Sequence, residues 1–392
     1  MALFDKQVAA LSAQLVAWRR DFHRHPELAF EETRTAGIVA ATLDGLGFEV
    51  QRGIGQTGVI GLLEGEQDGP TVLVRADMDA LPIQEANEVP YVSTIANRMH
   101  ACGHDAHTAI ALGAATILAE SRHKLAGRVK FVFQPAEEIG AGAKAMIDDG
   151  ALDNPRPDVA LGLHMWNTAP VGQIVVSGGP LMSGAESFTL RIAGQGGHAA
   201  LPHETRDPIV AAAQIIVASQ TVVSRNVSPL DAGVISFTQI TGGDAFNVIP
   251  NGVELNGSIR SFNSTVRETL ISRLEMIATG IAAAMNCTAE LEILRSVPPL
   301  VNDPAVAQQL AGRFRQADQS LEIIDELQVM VSEDMGHFLN AVPGVFFLVG
   351  SANAAKELTF PHHHPRFDID EAALQTGMTL LTEAVAHYVW RD

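Results

Sequence analysis

The chain reads as a layered α/β protein with a second, ferredoxin-like unit inserted into it. Three observations predict this fold class. Short apolar runs alternate with helical patterns from about residue 45 to 165, and the style resumes in the last quarter. Residues 185–294 follow a different order, β-α-β-β-α-β, the ferredoxin-like split. Two stretches rich in Gly, Ser or Pro, 177–184 (SGGPLMSG) and 296–304 (SVPPLVNDP), bracket that middle part as hinges. The expected division is a main domain of residues 1–181 and 296–392 and an inserted domain of residues 182–295.

Val8, Leu11, Leu15, Trp18 and Phe22 recur at helical spacing among polar residues. Residues 57–63 (TGVIGLL), 71–76 (TVLVRA), 129–133 (VKFVF) and 158–163 (DVALGL) are short apolar runs that suit buried strands. Between the second and third, residues 104–121 place Ala, Ile and Leu at helix-packing positions. In the middle part, 185–193 alternates as a strand, and 207–222 is a helix with Asp207 as N-cap and Pro208 at its first position. Strands at 233–240 and 252–261, a helix at 265–284 and a strand at 288–294 complete the insert. The last quarter gives helices at 303–316 and 370–388, with a buried strand at 345–349 (VFFLV).

Composition narrows the function. With 392 residues, 47% hydrophobic and 18% charged, the chain can bury a sizeable core, which excludes disorder and a small stapled scaffold. A formal charge of −19 repels phosphate backbones and anionic lipid heads, so neither nucleic acid nor a membrane is expected as a partner. Two cysteines, Cys102 and Cys287, make no disulfide framework and suit a reducing compartment. The first residues do not read as a signal peptide, and no apolar run reaches the roughly 18 residues of a membrane span. A soluble cytoplasmic protein is the expectation.

Five donor-rich clusters carry the chemistry. They are Asp77-Met78-Asp79 after the strand 71–76, His100 to Asp105 at the start of the helix 104–121, Glu137-Glu138 after 129–133, His164 after 158–163, and His362-His363-His364 after 345–349. Cys102 and His104 stand two apart, with Gly103 letting the backbone turn so that both point at one ion, and the helix N-terminus favours the thiolate. Each cluster alone has an ordinary explanation: a small buried cysteine, a hydrogen-bonded loop histidine, a solvated pair of glutamates, a turn-capping aspartate. In an open α/β sheet, however, ligands bind beyond the carboxyl ends of the strands. Parallel strands carry these groups to one rim, and that coincidence favours a metal site. A single zinc needs three or four ligands, and the rim offers Cys102, His104, Glu138, His164 and His363 with Asp77, Asp79 and Glu137 left over. More than one ion is therefore expected, with Glu137 placed to act as general base. Rival motifs are weaker. Residues 194–199 (GQGGHA) match a dinucleotide pattern, but no helix starts there, and no nucleophile elbow, Walker loop or nucleobase-deaminase signature is present.

The motifs RADMDALP (75–82), MHACGHDAH (99–107), FQPAEE (133–138), GLH (162–164), GQGGHAALPH (194–203), NVIPNGVELNGSIR (247–260) and HHHPRFD (362–368) resemble the di-metal aminoacylase and peptidase superfamily. The branch they resemble contains hippurate hydrolase, N-acyl-amino-acid amidohydrolases and the plant indole-acetyl-amino-acid hydrolases. The resemblance runs in order along nearly the whole chain, from DFHRHPELAFEE (21–32) onward. It implies a catalytic domain, an inserted lid that commonly dimerises, and two divalent ions per subunit, with Zn, Mn, Co or Ni expected. By motif, Cys102, His104, Glu138, His164 and His363 are the implied ligands, and Glu137 is the implied base. His363 is chosen over His362 because the family histidine lies two before the proline, here Pro365. Asp79 resembles the aspartate two residues after a metal histidine in distant peptidase relatives; Asp77 stands where that histidine would be, so the implied role of Asp79 is only to support the centre. In the lid, His198 resembles a histidine that reaches a partner subunit's active site and stabilises the oxyanion. Asn247 and Arg260 resemble residues that hold the substrate carboxylate or the tetrahedral oxygen.

The expected activity is hydrolysis of the amide bond of small N-acyl-amino acids, in a homodimer or higher homo-oligomer formed through the lid. A dipeptidase or carboxypeptidase acting on short peptides with the same machinery is the alternative. A non-catalytic module that keeps the fold would need a broken site, and every donor position is filled.

Overall fold

Runs rich in Val, Leu, Ile and Phe become the inner strands of an eight-stranded mixed sheet in the computed structural model, which describes residues 3–391. From one edge to the other the strands are Glu49–Ile54, Gly58–Glu64, Ala126–Gln134, Gln67–Asp77, Val159–Pro170, Gly344–Ala352, Gln173–Val175 and Glu322–Ile324. Ala126–Gln134, Gln67–Asp77, Val159–Pro170 and Gly344–Ala352 run parallel to one another. Strands covered on both faces are expected to be apolar throughout rather than alternating, and Gly344–Ala352 is buried along all but its last residue.

The helix His104–Glu120 is buried at every position through Leu118, the pattern of a helix enclosed on all sides. A methyl group on Gly113 would stand 2.4 Å from Met378 Sδ, and one on Gly377 would stand 2.7 Å from Ile110 Cδ1. These two glycines therefore let His104–Glu120 and Ala372–Val389 approach closely, with the facing side chains filling the space.

Register places the site. Asp77 pairs with Gln134, Arg75 with Gly162, and His164 with Leu348. Asp77, Gln134 and His164 consequently lie on one row, at the end of two parallel strands and beside the third. The sequence ends that third strand at 163, but it runs to Pro170. Its ladder with Gln67–Asp77 stops at Gly162, while pairing with Gly344–Ala352 continues to Pro170. His164 is thus a strand residue rather than the first residue of a loop. The helices Thr33–Gly45 and Gly142–Asp148, and the edge strand Glu49–Ile54, carry no strong apolar period and are additions to the sequence reading.

Contacts divide the chain into two units, one holding residues up to Gly179, Val301–Leu327 and residues from Asp334 onward, the other Pro180–Leu300 with Gln328–Glu333. The second unit has an antiparallel sheet in the order Gly233–Thr241, Gly252–Ser261, Gly184–Ala193, Thr288–Val297. In chain order this is second, third, first, fourth strand, the ferredoxin-like arrangement. Pro208–Asn226 and Ser264–Ala284 cover it and share its apolar core. Asp207 caps the first helix, accepting the Ile209 N–H at 2.9 Å, and Asn263 caps the second, accepting the Val266 N–H at 2.8 Å. Pro208–Asn226 is long and apolar enough to cross a membrane by length and composition, and its buried face lies on the sheet of its own unit.

Candidate metal centre

Three local backbone devices complete the rim. After the strand Ala126–Gln134, Ala136 takes φ +53°, and its N–H donates to Glu32 Oε1 at 2.9 Å. The turn delivers Glu137 and Glu138. Gly103, at φ +94°, precedes the helix His104–Glu120 and separates Cys102 from His104. His363 takes φ +65°, and its N–H donates to Ala101 O at 2.8 Å, which ties the histidine run to the Cys102 segment. A left-handed non-glycine residue costs about 1–3 kcal/mol and persists where surrounding structure imposes it, often at functional sites.

The donor atoms converge. Cys102 Sγ lies 3.5 Å from His164 Nε2. His104 Nε2 lies 3.9 Å from Glu137 Oε2 and 4.0 Å from Glu138 Oε1. His363 Nε2 lies 3.3 Å from Glu138 Oε2. The ligand atoms of Cys102, His104 and His164 are all within 4.8 Å of one another, as are those of Cys102, Glu138 and His363, and those of His104, Glu137 and Glu138. Cys102 belongs to two of these groups.

The imidazoles are oriented for this arrangement. His104 Nδ1 donates to Asp79 O at 2.9 Å and faces Asp79 Oδ1 at 3.2 Å. His164 Nδ1 donates to Met165 O at 2.7 Å. With Nδ1 committed to the protein, Nε2 is the nitrogen left for the centre in each ring. His104 Nε2 is buried and makes no hydrogen bond among the described residues. A buried polar atom in that state costs about 1–3 kcal/mol, which coordination of a cation would relieve. Thiol, imidazole and carboxylate together fit a divalent ion such as Zn, Mn, Co or Ni better than Mg or Ca.

Protonation changes one expectation. Burial, then the Glu138 charge, pushes the Cys102 thiol well above its usual range, although His104 nearby pulls the other way. The helix N-terminus does not outweigh them, so a thiol is expected in the metal-free centre, and a bound cation would favour the thiolate. Burial also pushes His104 down, but the Asp77 charge and the Asp79 hydrogen bond push harder, and it is held well above the usual histidine value. Burial and the neighbouring His107 and His362 hold His164 well below it.

Asp79 braces two expected ligands, since its Oδ2 accepts the Glu138 N–H at 2.9 Å while the rest of the residue holds His104. His362 stands apart from that set. Its Nε2 accepts the Asn167 N–H at 3.2 Å, its ring lies 5.2 Å from those of His164 and Trp166, and burial pushes its pKa down to about 3. His363 is the member of the run beside Glu138. In the second unit His198 pairs with Val248, and the Ala199 N–H donates to Asn247 O at 3.1 Å, so His198 and Asn247 are neighbours on its surface. Arg260 lies on Gly252–Ser261 opposite Val234 and Ala185, half-buried, with its Nη1 making no hydrogen bond among the described residues.

The structure adds residues that motif reading passed over. Buried Arg75 donates to Asp77 Oδ2 at 2.7 Å, Gln134 Oε1 at 2.8 Å and Asp334 Oδ1 at 3.0 Å. Asp77 also accepts from His107 Nδ1 at 2.6 Å, so it is committed to Arg75 and His107. A signal existed: residues two apart on a strand and three apart on a helix share a face.

Comparison with known proteins shows the family. The profile of Peptidase family M20/M25/M40 matches residues 73–387. The N-acetyl-L-cysteine deacetylase of Bacillus subtilis (strain 168) is 40% identical over 377 residues, covering 96% of this chain and 88% of that protein. The IAA-amino acid hydrolase ILR1-like 4 of Arabidopsis thaliana is 39% identical over 96% of this chain and 86% of its own length. Among solved structures, the YXEP protein of Bacillus subtilis, described as a dinuclear metal-binding peptidase from the M20 family, superposes with a TM-score of 0.84. It is 34% identical over 97% of this chain and 98% of that one. Agreement that extends along nearly the entire sequence and backbone makes this chain a member of Peptidase family M20/M25/M40.

Proposed function

We propose that the chain is a metal-dependent amidohydrolase that cleaves the amide bond of small N-acyl-amino acids. One observation carries the reading: two groups of donors share Cys102, and Glu137 stands beside them as a carboxylate not needed by either. In this reading Cys102, His104, Glu138, His164 and His363 hold two divalent ions. A bound ion pair supplies Lewis-acid activation of water and of the scissile carbonyl. Glu137 takes the proton from the attacking water on a carboxylate oxygen and returns it to the leaving amine, which is one group acting first as base and then as acid. Asp79 keeps His104 in its ligand orientation.

In this reading the second unit carries the substrate-binding residues. We assign His198 to stabilising the oxyanion, and Asn247 and Arg260 to the substrate carboxylate or the tetrahedral oxygen; a planar guanidinium can engage a carboxylate through two parallel hydrogen bonds. The same unit is read as a lid and as the interface of a homodimer. The exposed face of Pro208–Asn226, which includes Val210, Gln214, Val217, Gln220 and Thr221, carries no charge before Arg225 in its last turn, and Gly233–Thr241 is an edge strand with Ile240 63% exposed. A ligand thiol that must stay reduced suits a cytoplasmic setting.

The test is turnover on benzoyl-, acetyl- and indole-acetyl-amino acids beside unblocked dipeptides, before and after chelation. The reading expects hydrolysis of blocked amino acids, loss on chelation and recovery with Zn, Mn, Co or Ni. Hydrolysis of dipeptides alone would transfer the site to a peptidase, and full activity after complete metal removal would contradict the centre.

A further inference from the structure

We propose that His107 is a positioning residue that fixes Met165 and, through it, the imidazole of His164 at the metal centre. The proposal rests on the metal-centre reading above. His107 follows His104 by three residues on His104–Glu120, so both rings face the same end of the sheet. Its Nε2 accepts the Met165 N–H at 2.8 Å and so carries no proton. The proton lies on Nδ1, which donates to Asp77 Oδ1 at 2.6 Å. Asp77 is itself held by Arg75 Nη1 at 2.7 Å, and its main-chain oxygen accepts from Thr108 Oγ1 at 2.8 Å. Both ring nitrogens are thereby committed. His107 has no lone pair to offer a cation, although its ligand atom lies within 4.8 Å of those of Asp77 and His104.

What His107 holds is the stretch of Val159–Pro170 where the ladder to Gln67–Asp77 has ended at Gly162. There the Met165 N–H goes to an imidazole rather than to a strand. Met165 O in turn accepts His164 Nδ1–H at 2.7 Å, which sets the tautomer of His164 and turns its Nε2 toward Cys102 Sγ at 3.5 Å. The His107 ring also packs edge-on against that of His164, with centroids 4.5 Å apart and planes at 66°. A continuous chain from Arg75 through Asp77, His107 and Met165 therefore ends on His164. A histidine that only satisfied a buried N–H would support the fold without affecting the centre, and the two roles separate by experiment.

Substitution can divide the two nitrogens. His107→Gln keeps an acceptor near the Nε2 position, whereas His107→Asn keeps a donor toward Asp77 and leaves the Met165 N–H unpaired. Zinc affinity by chelator competition, the absorption bands of the Co(II)-loaded protein and the melting temperature of the metal-free protein are measured for each. His107→Asn is expected to weaken zinc binding about 10–100-fold and to shift the cobalt bands, with His107→Gln staying within a few-fold of wild type. Unchanged zinc affinity and cobalt bands in His107→Asn, with loss confined to the metal-free melting temperature, would overturn the proposal. Should that variant fail to fold, histidine 15N NMR of the zinc-loaded wild type decides. Retention of the Nδ1–H tautomer at His107 is expected, and a coordination shift at its Nε2 would overturn the proposal. Wild-type protein that takes up no zinc would remove the metal-centre reading itself, a result distinct from normal uptake with an unchanged His107→Asn centre.

Discussion

Cys102 shows how far one residue's chemistry depends on its neighbours. Burial and the Glu138 charge hold it as a thiol in the bare centre, yet it lies within reach of two donor groups. Metal uptake by the metal-free protein at neutral pH should therefore release protons, and Cys102→Ser should release about one fewer per chain, since the serine hydroxyl stays protonated. An indicator-dye titration reads this directly, and equal release by both proteins would argue against sulfur ligation. The residues of this centre were largely legible because Cys102, His104, Glu137, Glu138 and His164 each follow or open a recognisable element. Asp77 and His107 were less so. An aspartate after a strand looks like a turn cap, and only side-chain geometry reveals that it is committed to a buried arginine and a histidine.

At the scale of elements, the apolar runs at 57–63, 71–76, 129–133 and 345–349 were readable because sheet strands covered on both faces leave no polar alternation to mislead. The continuation of Val159–Pro170 past His164 was hidden, because its second half pairs on one side and buries alternate residues. Thr33–Gly45 was hidden as well, since its buried positions are Thr35, Ala36, Val39, Ala40 and Leu43, mostly too small to give a strong period. The helix that opens with His104 is braced from Asp5–Arg24. Arg19 Nε donates to Asp105 Oδ2 at 2.9 Å and Arg19 Nη2 to Asp368 Oδ1 at 2.6 Å. His23 reaches Asp105 Oδ2 at 2.8 Å and Glu85 Oε1 at 3.1 Å. Burial and Arg19 push His23 down, but hydrogen bonds and charge from Asp105 and the bond to Glu85 prevail and raise it from 6.5 to about 9. A folded value above the unfolded one gives stability that is complete below about pH 6.5 and is lost as pH rises through about 9. The melting temperature of wild type should thus fall more steeply between pH 7 and 10 than that of His23→Gln. Parallel curves for the two proteins would remove the charged histidine from the account.

For the whole molecule, the order of motifs, the α/β class and the ferredoxin-like strand order were all visible in the sequence, because each rests on patterning at the length of an element. Assembly was not, since a surface helix and a self-pairing helix can carry the same residues. The exposed face of Pro208–Asn226, uncharged until Arg225 in its last turn, is the particular that supports a homodimer, and Val217, 68% exposed, lies on it. Val217→Glu should convert a dimer to monomer in light scattering while leaving metal content intact, because the substitution puts like charges opposite each other across a two-fold interface. An unaltered mass would move the interface elsewhere.

In the proposed mechanism, sulfur, imidazole and carboxylate donors hold an ion pair beside Glu137, which moves the proton. Elemental analysis of wild type and Glu137→Gln, coupled to turnover of one good N-acyl-amino acid substrate, tests it most directly. About two divalent ions per chain are expected in both proteins, with turnover reduced about 10²–10⁴-fold in the variant alone. Wild-type turnover in Glu137→Gln, or an active wild-type enzyme that carries no divalent ion, would contradict it.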